Sequence, residues 1–176
     1  ASTDTDNILG SSTGTPLADT LTNIGPTKSY SLAGWWSPSE VGIIPSFSIG
    51  WGLNKTEDED DSNATYDSAT TQSWSVGMEW SDAFVEGNIF GMAFGQPNFV
   101  TDIEHDATTD TDAVADGNYA WEWWYAMQLS DNITLTPAIF YLSRPFGHNT
   151  DLTNTPGKSE RTLSNLGALV KTTFSF

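Results

Sequence analysis

The chain ends Leu166-Gly167-Ala168-Leu169-Val170-Lys171-Thr172-Thr173-Phe174-Ser175-Phe176. Counting back in twos gives Phe176, Phe174, Thr172, Val170, Ala168 and Leu166, all of which tolerate an apolar surrounding. The intervening Ser175, Thr173, Lys171, Leu169 and Gly167 are smaller or more polar. Successive side chains of a strand point to opposite faces, so this stretch predicts a strand with one oily face and one mostly wet face. A soluble sandwich admits such an ending, but a strand that meets lipid on one side suits it better.

The same alternation recurs upstream. Over 29–37 one side carries Tyr30, Leu32, Gly34 and Trp36. Over 41–53 it carries Ile43, Pro45, Phe47, Ile49, Trp51 and Leu53, against Ser46, Ser48, Gly50 and Gly52. Over 72–80 it carries Trp74, Val76, Met78 and Trp80, against Ser73, Ser75, Gly77 and Glu79. Over 84–95, Asn88, Phe90, Met92 and Phe94 oppose Ile89, Gly91, Ala93 and Gly95. Over 118–129, Tyr119, Trp121, Trp123, Tyr125, Met127 and Leu129 oppose Ala120, Glu122, Trp124, Ala126 and Gln128. Over 133–143 it carries Ile133, Leu135, Pro137, Ile139 and Tyr141.

Seven strands result, joined alternately by short turns (38–40, 81–83, 130–132) and by long loops (54–71, 96–117, 144–161) that hold much of the charge. This asymmetry, and lengths near the 9–11 residues of a tilted membrane strand, predict an all-β fold: an antiparallel transmembrane β-barrel. Unpaired backbone is not tolerated in lipid, so the sheet is expected to close. Trp36, Trp51, Trp74, Trp80, Tyr119, Trp121, Tyr141 and Phe176 are expected at the membrane interfaces, where aromatic girdles sit. Pro45 and Pro137 run against this reading, because proline cannot donate to a ladder.

Composition excludes other classes. The net charge of −17, from 23 acids against 6 bases, predicts no binding to nucleic acid, which needs Lys and Arg against phosphates. With no cysteine there is no disulfide, thiolate zinc site or thiol nucleophile. No apolar run is long enough for a transmembrane helix. No nucleophile elbow, zinc-protease or phosphate-loop motif is present, and His105 and His148 lie in long loops. No enzymatic activity and no cofactor are expected. Asp110, Asp112, Asp116 and Gly117 lack the spacing of a calcium loop, as does the run 57–61; these acids read as solvated loop charges.

On the predicted inner face, Glu79, Glu122, Gln128, Thr134, Thr136 and Lys171 are the candidate pore-lining residues. They are equally what a solvated face of any sheet would show. Lys171 could pair with either glutamate. A soluble all-β carbohydrate-binding module is the alternative; it would hide most of its rings in a core.

Residues 1–28, rich in Ser, Thr, Asp, Gly and Pro, read as an extracellular loop or disordered segment ahead of barrel strands in 29–176. Single-chain bacterial barrels keep an even strand count with both ends periplasmic. Seven strands entered from an outer loop therefore point to the C-terminal portion of a larger barrel. A missed strand within 1–28, giving an eight-stranded barrel, is the other solution.

The stretch 131–145, Asp-Asn-Ile-Thr-Leu-Thr-Pro-Ala-Ile-Phe-Tyr-Leu-Ser-Arg-Pro, resembles the penultimate strand of cyanobacterial outer-membrane porins of the carbohydrate-porin family. The ending 167–176 is similar to that family's last strand, and Gly34-Trp35-Trp36-Ser37-Pro38 to one of its hairpins. Residues 73–77 and 119–122 also fit. This resemblance, over roughly 29–176, implies a barrel of about 16 strands, a homotrimer in the bacterial outer membrane among lipid and lipopolysaccharide, and passive diffusion of small hydrophilic solutes, sugars or ions. It also implies N-terminal barrel strands and a cell-wall-binding S-layer-homology domain that this sequence does not contain, and a constriction loop from an early hairpin.

Overall fold

The structure, a computed structural model, describes residues 14–58, 66–104, 115–147 and 163–175. Among them a short helix, α1 (Pro16–Leu21), precedes seven strands. These are β1 (Thr27–Trp36), β2 (Ser46–Glu57), β3 (Ser68–Ser81), β4 (Ile89–Glu104), β5 (Tyr119–Ser130), β6 (Ile133–Ser143) and β7 (Ser164–Phe174). Each strand pairs antiparallel with its sequence neighbours, giving one sheet in the order β1-β2-β3-β4-β5-β6-β7. β1 and β7 do not pair with each other, so the seven strands form an open sheet.

Register carries the alternation across the whole sheet. Leu32 faces Trp51, which faces Trp74; Ile49 faces Val76, which faces Phe94, then Trp121, Tyr141 and Leu166. Partners in an antiparallel pair share a face, so the apolar sets of all seven strands fuse into one surface. A one-residue slip anywhere would move a strand's whole apolar set to the other face. The rings on this surface touch: Phe94 stacks on Tyr119 at 5.8 Å and meets Trp121 edge-on at 4.8 Å, and Trp80 lies 5.6 Å from Phe90. No second layer of protein covers it among the described residues. Leu32, Ile49, Ile139 and Val170 are all more than half exposed.

Two strand starts differ from expectation. β2 begins at Ser46 and not near Val41, so Ile43 and Pro45 lie in the preceding turn; Pro45 thus never enters the ladder. β4 begins at Ile89 and not at Phe84, where Asp82 and Phe84 adopt positive φ in the turn. That turn is closed by the buried Asn88, whose Nδ2 donates to Tyr125 Oη and whose Oδ1 accepts from the Gln128 amide. Tyr125 Oη in turn donates to the Ala83 carbonyl. Short apolar turns and strands are not separable by alternation alone.

Pro137 does lie within β6. It pairs with Val170 on the β7 side, while on the β5 side pairing lapses between Trp124↔Ala138 and Met127↔Leu135. The register is unchanged across the gap, so the missing amide interrupts the ladder locally without shifting the strand. The difference between short and long connections is clear for 82–88 against 105–118 and for 131–132 against 144–163. It is slight for 37–45 against 58–67.

Residues 14–26, expected as loop, carry α1 and no strand; residues 1–13 lie outside the described residues. α1 is too short for a 3.6-residue period to show. Thr15 Oγ1 accepts from the Ala18 amide, and Pro16 occupies the first turn, where its missing donor costs nothing. Ala18 and Leu21 are fully buried against Ala69, Val100 and Ile103, with Leu17, Ile24 and Tyr66 at the margin. Burying Leu21 contributes roughly 1.5–3 kcal/mol. This small cluster is the main apolar core among the described residues.

Candidate functional site: the polar face of the sheet

The face opposite the rings is built by the same registers. One row across it runs Ser46, Glu79, Gly91, Trp124, Ala138 and Leu169; the next runs Trp35, Ser48, Gly77, Ala93, Glu122, Phe140 and Gly167. On β2, β3 and β4 the positions are almost all small: Ser48, Gly50, Gly52, Ser73, Ser75, Gly77, Ala93 and Gly95. Side chains this small add little bulk above the sheet and offer hydroxyls to water.

The six residues expected to line a pore all lie on this face. Glu79 and Glu122 stand in adjacent rows, two strands apart, Glu79 opposite Gly91 and Glu122 between Ala93 and Phe140. Gln128 faces Thr134, and Thr136 faces Lys171, toward the β5–β6 turn. Lys171 makes no ion pair with either glutamate. Lys28 pairs with Glu57 at 3.3 Å on the other face, near the long-loop end.

Two large rings on this face gain their meaning only from register. The indole of Trp124 lies over Gly91 of the neighbouring strand, where any Cβ would run into Cε2 and Cζ2. The outer edge of the Phe140 ring lies over Gly167 in the same way. Each ring lies across a glycine of the next strand, which fills the gap a missing side chain leaves. Strand parity alone places both rings on the polar face. What the sequence hides is the glycine opposite each, which depends on the pairing.

The aromatics expected at the membrane interfaces fall into two groups along the strands. Trp51, Trp74, Trp121, Tyr119 and Tyr141 form a band toward the long loops, and Trp36 and Trp80 a band toward the short turns; Phe176 lies outside the described residues. Trp74 Nε1 donates to Gln96 Oε1 at 2.6 Å and Trp80 Nε1 to the Ile43 carbonyl at 2.8 Å. Beyond the upper band the ring-bearing face turns polar, with Lys28, Lys55, Glu57, Gln72 and Asp102.

No cluster of His, Cys, Asp or Glu among the described residues is placed to hold a metal ion. Asp110 and Asp112 lie outside those residues. Asp116 is not the solvated loop acid expected: it is 1% exposed, and its Oδ2 accepts from Thr15 Oγ1 and from the Val100 amide.

Residues 18–176 match the family model described as "Carbohydrate-selective porin, OprB family". No curated protein and no solved structure matches the chain.

Proposed function

We propose, because this chain belongs to the OprB family of carbohydrate-selective porins, that its sheet is a sector of an outer-membrane barrel through which sugars and other small hydrophilic solutes diffuse. The ring-bearing face meets lipid, and the Ser, Gly and Glu face lines the water-filled lumen. The observation that carries this reading is the apolar surface that, among the described residues, is left uncovered on a single-layer sheet. A soluble protein rarely exposes such a patch, and a soluble binding module would bury these rings. The unpaired edges of β1 and β7 are the reason to add further strands that close the barrel, since an open edge in lipid leaves amides and carbonyls without partners.

Chemistry at the polar face suits uncharged solutes. Hydroxyl and amide groups of Ser48, Ser73, Ser75, Thr134, Thr136 and Gln128 exchange hydrogen bonds with a polyol about as water does, so passage costs little. The wall described here carries two acids, Glu79 and Glu122, and one base, Lys171, which favours cations only weakly. Liposomes bearing the full-length protein are expected to swell in isosmotic monosaccharide. Glu122→Gln is expected to leave that swelling unchanged while lowering the cation-to-anion permeability ratio from reversal potentials. Liposomes that fail to swell in any sugar would defeat the reading.

A further inference from the structure

We propose that residues 14–26 form a fixed strap on the lumen wall that narrows the channel mouth at the long-loop end and sets the upper size of the solute. The proposal rests on the lumen assignment above. The strap's face follows from register: Asn54 pairs with Thr71 and Thr56 with Ala69, two and four residues beyond Ser73 and on its side of β3. Val100 faces Thr71 and Ile103 faces Ala69 across two irregularities in the β3–β4 ladder. The residues that receive Ala18 and Leu21 therefore belong to the same face as Ser73, Ser75 and Glu79, and not to the ring-bearing face.

Both ends of the strap are held. At the start, the Thr15 amide donates to the Asn98 carbonyl at 2.9 Å, and Thr15 Oγ1 donates to the Asp116 carboxylate, which also accepts from Val100. Gly147, at φ +54°, packs so closely on Asp116 and Thr15 that no Cβ fits between them. Arg144 Nη2 donates to the Ala115 carbonyl at 2.8 Å, binding the two loop segments that flank Thr15. At the far end the Pro26 carbonyl accepts from the Glu57 amide at 3.3 Å, and Thr27 and Thr56 share a hydroxyl contact of 2.8 Å. A helix with its side chains is about 10–12 Å across, so one laid against the wall removes roughly that width from the mouth. Asp19, Thr20 and Asn23 are exposed, on the side turned away from the wall.

The chain has no cysteine, so single cysteines can report on the strap in the full-length protein. Thr20→Cys places a thiol on the exposed side of the strap; Lys28→Cys places one on the opposite face of the sheet and serves as control. Single-channel conductance is read in planar bilayers before and after a charged methanethiosulfonate reagent, with labelling confirmed by mass. A stepwise loss of conductance is expected for the Thr20→Cys protein and none for the Lys28→Cys protein. Complete labelling of the Thr20→Cys protein with unchanged conductance overturns the strap. Should the Thr20→Cys protein not insert, Thr15→Val with Asp116→Ala cuts the side-chain anchor at the start of the strap; it is expected to raise conductance and admit a larger oligosaccharide, and an unchanged size limit overturns the proposal. An unmodified protein that forms no channels at all would instead sink the porin reading, and the strap with it.

Discussion

Arginine at Ile49 is expected to deplete folded protein from the outer membrane, while arginine one residue earlier, at Ser48, leaves assembly intact. Ile49 lies on the ring-bearing face between Phe47 and Trp51, well inside β2, paired with Gly34 and Val76, and is more than half exposed. A guanidinium near the bilayer midplane costs about 2–4 kcal/mol. At about 1.36 kcal/mol per tenfold, that is roughly a 30-fold to nearly 1,000-fold loss in the folding equilibrium. Ser48 faces the other way, beside Gly77, where an added charge meets water and changes conductance. The fraction of heat-modifiable folded protein in isolated outer membranes, read on an unboiled denaturing gel, separates the two. Equal depletion by both substitutions would contradict the face assignment.

The second large effect falls on a glycine. Gly91→Ala adds one methyl, and that methyl would lie inside the Trp124 indole. The ring must leave its place or the β4–β5 pairing must open, and overpacking of this kind costs typically about 1–3 kcal/mol. Trp124→Ala removes the obstacle. The double substitution Gly91→Ala with Trp124→Ala is therefore expected to be destabilised by about 0.5–3 kcal/mol less than the sum of the single effects. The check is the urea midpoint of unfolding in micelles for the four proteins of the cycle. Simple additivity would show that the ring does not rest on Gly91.

How much of this was legible in the sequence follows from what alternation can and cannot encode. A period of two assigns faces, so the named aromatics in the described residues share one face of the sheet and the six polar candidates share the other, as parity alone requires. Boundaries were poorer. Ile43 and Phe84 continue the apolar parity into turns; Pro45 and Gly87-Asn88 are the local signals against a strand there, and alternation outweighed them. Pro137 looked like an objection because the sequence does not say which neighbour loses the hydrogen bond; the register shows the loss confined to one side. α1 was invisible for a different reason. Its stability comes from Ala69, Val100 and Ile103, which are distant in sequence, and from Asp116, about a hundred residues away. Such contacts leave no periodic trace. Trp124 and Phe140 were readable as polar-face positions, but their glycine partners emerge only once strands are aligned.

The central claim is that one face of these strands meets hydrocarbon and the other meets water. It is tested most directly by spin labels at single cysteines along β3, from Gln72 to Trp80, in the full-length protein reconstituted in lipid. Labels at Trp74, Val76 and Met78 should relax with oxygen, which concentrates in the bilayer, and be insensitive to a water-soluble nickel chelate. Labels at Ser73, Ser75 and Gly77 should show the reverse, giving a period of two in both profiles. Nickel access at Trp74, Val76 and Met78, or oxygen profiles without alternation, would contradict the account.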